Sequence, residues 1–139
     1  MKLEFVLVPA DAGVTGFESP AADYAKHELL LDEVLIERKS STFLARASGN
    51  SMQGFGIYDK DLLIVDRAAP PSDLDVVVAV LNGQLVCKML HRSKGLLLSG
   101  NPQYPPVSVT EFDDFVVEGI VIRSVRLLRE PALLAGELT

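Results

Sequence analysis

The chain has no tryptophan and a single cysteine, Cys87. One thiol closes no intramolecular disulfide, which excludes a disulfide-stapled secreted scaffold and fits a reducing, cytoplasmic location. Histidine is nearly as scarce. His27 and His91 together with Cys87 make no metal-ligand spacing, so neither a metal nor another cofactor is expected. Positive charge is also short, with 13 Lys and Arg against 19 Asp and Glu for a formal net charge of −6. Because unspecific grip on a phosphate backbone rests on clustered Lys and Arg, direct nucleic-acid binding is not expected, and any link to DNA should pass through a partner. No run approaches the roughly 20 apolar residues of a membrane span. Glu4, Pro9 and Asp11 interrupt the amino-terminal apolar residues too early for a signal-peptide core, so no membrane association is expected.

What the chain does have is apolar residues in short, strand-like runs. At 139 residues, 48% apolar and 23% charged, it fits one folded domain with its own core. Residues 42–48 alternate, with Phe43, Ala45 and Ala47 on one side and Leu44, Arg46 and Ser48 on the other. Residues 62–66 form a second run, and 95–99 a short one. Residues 115–128 read as the longest strand, where Gly119 marks a bulge or a close approach. Asn101 to Pro106 carries three prolines and must be irregular. Asp32 is placed to cap a short helical turn through Val34 and Leu35. Asp59, Lys60 and Asp61 read as a solvated turn, and Arg123, Arg126 and Arg129 as a solvated face. Many short strands and few helical periods predict a mostly β fold.

Two residues stand out for chemistry. Gly49 ends the first strand, so Ser51 sits at the rim of a sheet where a nucleophile can be reached; Gly and Ser there are also ordinary turn residues. The second is Lys88. Residues 76–81, the turn pair Asn82-Gly83 and residues 84–90 read as a hairpin with Leu81 opposite Gln84, Ala79 opposite Val86 and Val77 opposite Lys88. The lysine then shares a face with Val77, Ala79, Val86 and Leu90. Apolar surroundings disfavour an ammonium, each unit of pKa shift costing about 1.4 kcal/mol, and this is how a lysine becomes a base near neutral pH. The alternative is an edge lysine whose stem lies on the sheet while its head reaches water. Cys87 falls on the opposite face and reads as a small core residue. Taken together, Ser51 and Lys88 suggest a serine nucleophile activated by a lysine general base.

At this point the sequence resembles a known family. SGNSM at 48–52, a lysine 37 residues after the serine, YDKDLLIVD at 58–66 and GFESPAADY at 16–24 look like UmuD-type proteins, the self-cleaving subunits of error-prone DNA polymerase V, which belong with LexA-type serine peptidases. The likeness runs from about Gly16 to Arg129. It implies a compact LexA/UmuD-type peptidase domain of several small sheets over residues 21–129, an extended arm over 1–20 and a flexible tail over 130–139. It also implies Ser51 as nucleophile, Lys88 as base, the backbone amides of Asn50 and Ser51 as oxyanion donors, and a cleavage site at Thr15-Gly16. The implied partners are a second copy in a homodimer, a RecA filament on single-stranded DNA and a UmuC-like translesion polymerase subunit.

The chain departs from that pattern around the cut. Thr15 stands where relatives have Ala or Cys, Glu18 where they have proline, and the arm is shorter; Ala12-Gly13 is an alternative bond. Two functions follow. One is a peptidase that trims its own arm in the SOS response; the other is a cleavage-poor module that regulates the polymerase through its dimer surfaces. A LexA-type repressor would need a helix-turn-helix, for which the residues before Gly16 are too few. A signal peptidase would need a membrane anchor.

Overall fold

Seven strands form, six of them on the apolar runs just described: β1 (Thr42–Arg46), β2 (Leu62–Asp66), β3 (Leu74–Leu81), β4 (Gln84–His91), β5 (Leu96–Leu98), the two-residue β6 (Val107–Ser108), which no run announced, and β7 (Phe115–Val125). They are seen in a computed structural model that describes residues 30–131. Residues 30–37 and 38–131 fall in two separate units. In the first, Leu31–Leu35 forms a single helical turn. Asp32 does not cap it: Leu30 holds the cap position without a side-chain bond, because the turn begins one residue before Asp32, whose carbonyl instead accepts from the Ile36 amide.

In the second unit all strand pairs are antiparallel, in the order β1-β2-β7-β3-β4-β5-β6. The mostly β fold is thus present, with one continuous ladder broken by bulges where several small sheets were expected. Successive strand residues face opposite ways, so β3 feeds two cores. Val78 joins Met52, Ile57, Leu63 and Val65, while its neighbour Val77 joins Ala79, Leu90 and Leu97. Val65 and Val77 are fully buried, each such side chain stabilising the fold by roughly 1.5–3 kcal/mol.

The hairpin register is as the sequence predicts, with Leu81 opposite Gln84, Ala79 opposite Val86 and Val77 opposite Lys88. Asn82 and Gly83 both have positive φ, the geometry of a tight two-residue turn. Gly119 meets its expectation too. The β3–β7 register slips beside it, and a Cβ there would lie 2.6 Å from a Val65 methyl.

Candidate active site

Ser51 follows β1 through a turn that only glycine makes cheaply: Gly49 has φ +92°. Its amide donates to Asp59 Oδ1 at 2.8 Å. Ala47 both donates to the Asp61 carbonyl and accepts from the Lys60 amide, so β1 is zipped to the far end of the same loop. Beneath it Met52 and Ile57 anchor the loop in the first core.

An ion pair with a buried carboxylate holds that loop to the residue just past β7. Asp61 is 2% exposed, and Arg126 grips it with Nε at 3.0 Å from Oδ1 and Nη2 at 2.9 Å from Oδ2. Arg126 also donates to the Gly56 carbonyl and stacks over the Tyr58 ring. The Arg126 bonds, outweighing desolvation, hold the Asp61 carboxyl below its ordinary value. This corrects the reading of 59–61 as a solvated turn at Asp61 alone, since Asp59 and Lys60 are exposed as expected; Arg126 is half exposed, but it is paired with that buried carboxylate. The two are 65 residues apart in the chain, and no local pattern announces such a pair. Arg129 is exposed, as expected.

Lys88 enters from β4. Burial among the apolar residues of the second core lowers its pKa from the ordinary lysine value. Its Nζ donates to Ser99 Oγ at 2.9 Å and lies 5.4 Å from the Tyr104 ring centre. Cys87, next in the strand, faces the first core, and burial pushes its thiol up to about 11, so it stays a neutral packing group.

Ser51 and Lys88 line one cleft of about 200 Å³, walled by Ala47, Ile57 and Val86. A second hollow of about 140 Å³ continues past Ala45 and Leu63, sharing Ala47, Ser48, Leu85, Val86 and Cys87 with the first. Among the described residues, Ser51 Oγ makes no hydrogen bond, and the amides of Asn50 and Ser51 meet no acceptor. Thr15 and Gly16 lie outside the described residues.

A family comparison fits this geometry. The profile of peptidase S24-like proteins covers residues 9–122. The chain belongs to that family. It is 43% identical over 117 residues to protein ImpA of Salmonella typhimurium, an alignment spanning 84% of this chain and 77% of ImpA. Protein MucA of Escherichia coli is 35% identical over 121 residues, 86% of this chain and 82% of MucA. LexA repressor 2 of Pseudomonas putida is 34% identical over 119 residues, 84% of this chain but 59% of the repressor. This is therefore a UmuD-like S24 protein of SOS mutagenesis, as its motifs led one to expect.

Sequence reasoning missed several parts of this S24 site. Ser99 reads as the end of a leucine run, yet it holds the lysine. Asn101 and Tyr104, inside the proline-rich segment, reach back to Asn50: Asn101 Nδ2 donates to its carbonyl at 3.2 Å and the Tyr104 hydroxyl to its Oδ1 at 3.1 Å. The useful hint was that four polar side chains, Ser99, Asn101, Gln103 and Tyr104, interrupt a segment otherwise rich in leucine and proline.

Proposed function

We propose that this UmuD-like chain acts in the cytoplasm as a serine peptidase on its own arm, cutting Thr15-Gly16. In this reading a RecA filament on single-stranded DNA stimulates the cut, and the trimmed homodimer supports a UmuC-like translesion polymerase subunit. The observation that carries it is the shared cleft of Ser51 and Lys88, with the amine shifted toward neutrality by burial.

Neutral Lys88 takes the Ser51 hydroxyl proton as Oγ attacks the Thr15 carbonyl carbon. The oxyanion that forms is met by the free amides of Asn50 and Ser51. Lys88 then passes its proton to the Gly16 nitrogen, the C–N bond breaks, and water releases residues 1–15 from the Ser51 ester. Residues 84–88 of β4 have no strand partner on their outer edge among the described residues, since β5 pairs only from Met89 onward. An extended arm can add there as a strand, with the cleft receiving its side chains.

The base must be neutral to act, so the cleavage rate should rise with pH through a midpoint below the ordinary lysine range. Val86→Asp puts a carboxylate on the same face of β4, favours the ammonium and should move that midpoint upward. A pH–rate profile of the folded variant with an unmoved midpoint contradicts Lys88 as the base.

Thr15 tests the bond itself. A β-branched residue stiffens the backbone and overfills a site suited to Ala or Cys, and Thr15→Ala should speed cleavage roughly 10- to 200-fold. Sequencing of the product should find Gly16 first. An unchanged rate with a product beginning at Gly13 would move the cut to Ala12-Gly13. No product from either chain, even with RecA filaments, would favour the cleavage-poor regulatory module.

A further inference from the structure

We propose that Ser99 is the positioning residue of this site: its hydroxyl accepts a hydrogen bond from the Lys88 amine and so turns the lone pair of that amine toward Ser51. The inference rests on the Ser51–Lys88 reading above and adds a third member to it, drawn from a different part of the fold.

A lysine amine ends a four-carbon stem and rotates freely unless something fixes it. The neighbours of Lys88 within the sheet cannot do so. Val86 and Leu90 flank it on the same face of β4, and Val77 is its partner on β3; none carries a polar side-chain atom. Ser99, just past β5, is the hydrogen-bond partner of Nζ among the described residues, at 2.9 Å.

Ser99 is itself held in register with the nucleophile. The amide of Gly100 donates to the Ser51 carbonyl at 2.7 Å, and the Gly100 carbonyl accepts from the Gly54 amide at 2.6 Å. The two glycines permit this approach. A Cβ on Gly54 would fall on the Gly100 carbonyl, and one on Gly100 would lie 2.9 Å from the Gly54 and Phe55 nitrogens. The backbone that carries Ser99 is thus locked to the backbone that carries Ser51. Tyr104 completes the enclosure, with its ring beside the amine and its hydroxyl on Asn50. A neutral amine has two N–H groups and one lone pair; committing one N–H to Ser99 restricts where the lone pair points.

The role predicts two changes of different kind. A misdirected base lowers the rate even when fully neutral, so Ser99→Ala should reduce the high-pH plateau of self-cleavage by about 10- to 100-fold. The hydroxyl also favours the charged form by accepting from the ammonium, so its loss should move the Lys88 midpoint to lower pH. The titratable groups around that amine among the described residues are Cys87 on its own strand and Tyr104 from the segment after β5. Both remain in the variant.

The experiment follows the Lys88 side-chain carbon signal by NMR across pH in a Ser51→Ala background, comparing the chain that keeps Ser99 with its Ser99→Ala and Ser99→Thr variants. Cleavage plateaus are measured in parallel with Ser51 intact. We expect a lowered midpoint and plateau in Ser99→Ala, and recovery of both in Ser99→Thr, which keeps the hydroxyl. An unmoved midpoint in Ser99→Ala overturns the proposal whatever the rate does. Because the titration needs no cleavage, a chain that never cuts would defeat the peptidase reading while leaving the Ser99 contact to be decided by the midpoint alone.

Discussion

Ser51→Ala and Lys88→Ala are each expected to slow self-cleavage by at least about 1,000-fold while leaving a folded protein. The first removes the attacking oxygen. The second leaves that oxygen with no base, since no other titratable side chain lines the cleft except Cys87, whose thiol is directed into the first core. Neither side chain anchors a core: Ser51 and Lys88 are both only half-buried, and the loop and hairpin that carry them are fixed by Met52, Ile57, Val77 and Val78. The two act on one proton transfer, so the double variant should be no slower than the slower single one. Time courses of arm loss in the presence of RecA filaments measure this. A single variant that cuts at the wild-type rate would remove that residue from the mechanism.

Arg126→Ala should have the largest effect on the scaffold. It strips a nearly fully buried carboxylate of both its guanidinium bonds and leaves the Tyr58 amide, an uncharged donor, as its hydrogen-bond partner among the described residues. Removing one partner of such a pair is far more costly than the pair is worth, because the remaining charge stays out of water. Half of the arginine side chain is exposed, so water replaces part of what it supplied. A fall in thermal midpoint on the order of 10 °C is expected for a domain of this size. Arg126→Lys keeps the charge but not the two-pronged grip and should fall between.

The pH dependence has a definite sign. The Asp61 carboxyl is held below its ordinary value of 3.8, chiefly by the Arg126 hydrogen bonds. The stability it contributes is therefore full above that ordinary value and is lost as pH falls through the lowered one. In Arg126→Ala that contribution is already gone, so the gap between variant and wild type should shrink in acid. Thermal melts at neutral and acidic pH check both points, and a midpoint within about 2 °C of wild type at neutral pH would contradict this role for the ion pair.

These two predictions fall on opposite sides of what the sequence makes legible. The Lys88 side was readable because it is local: Asn82-Gly83 sets the turn, period-2 alternation sets the faces, and together they fix which apolar residues surround the amine. The Ser51 turn was readable for the same reason, from one glycine closing one strand. Arg126 and Asp61 meet only because β7 lies beside β2 in the sheet, an order that no short pattern encodes. Ser99 is hidden in the same way. Its contact with Lys88 depends on β5 folding back on β4 and on two distant glycines allowing the backbones to touch. The Ser51–Lys88 pairing, which also depends on strand order, was joined through the family resemblance; the other side chains brought together by strand order escaped notice.

Whether Ser51 cuts the arm is tested by intact-mass spectrometry of the purified wild-type and Ser51→Ala chains, before and after incubation with RecA, ATP and single-stranded DNA. The dyad reading expects the wild-type chain to lose residues 1–15 and begin at Gly16, and the Ser51→Ala chain to keep its full mass. A wild-type chain that stays intact, or a Ser51→Ala chain trimmed at the same rate, would contradict it.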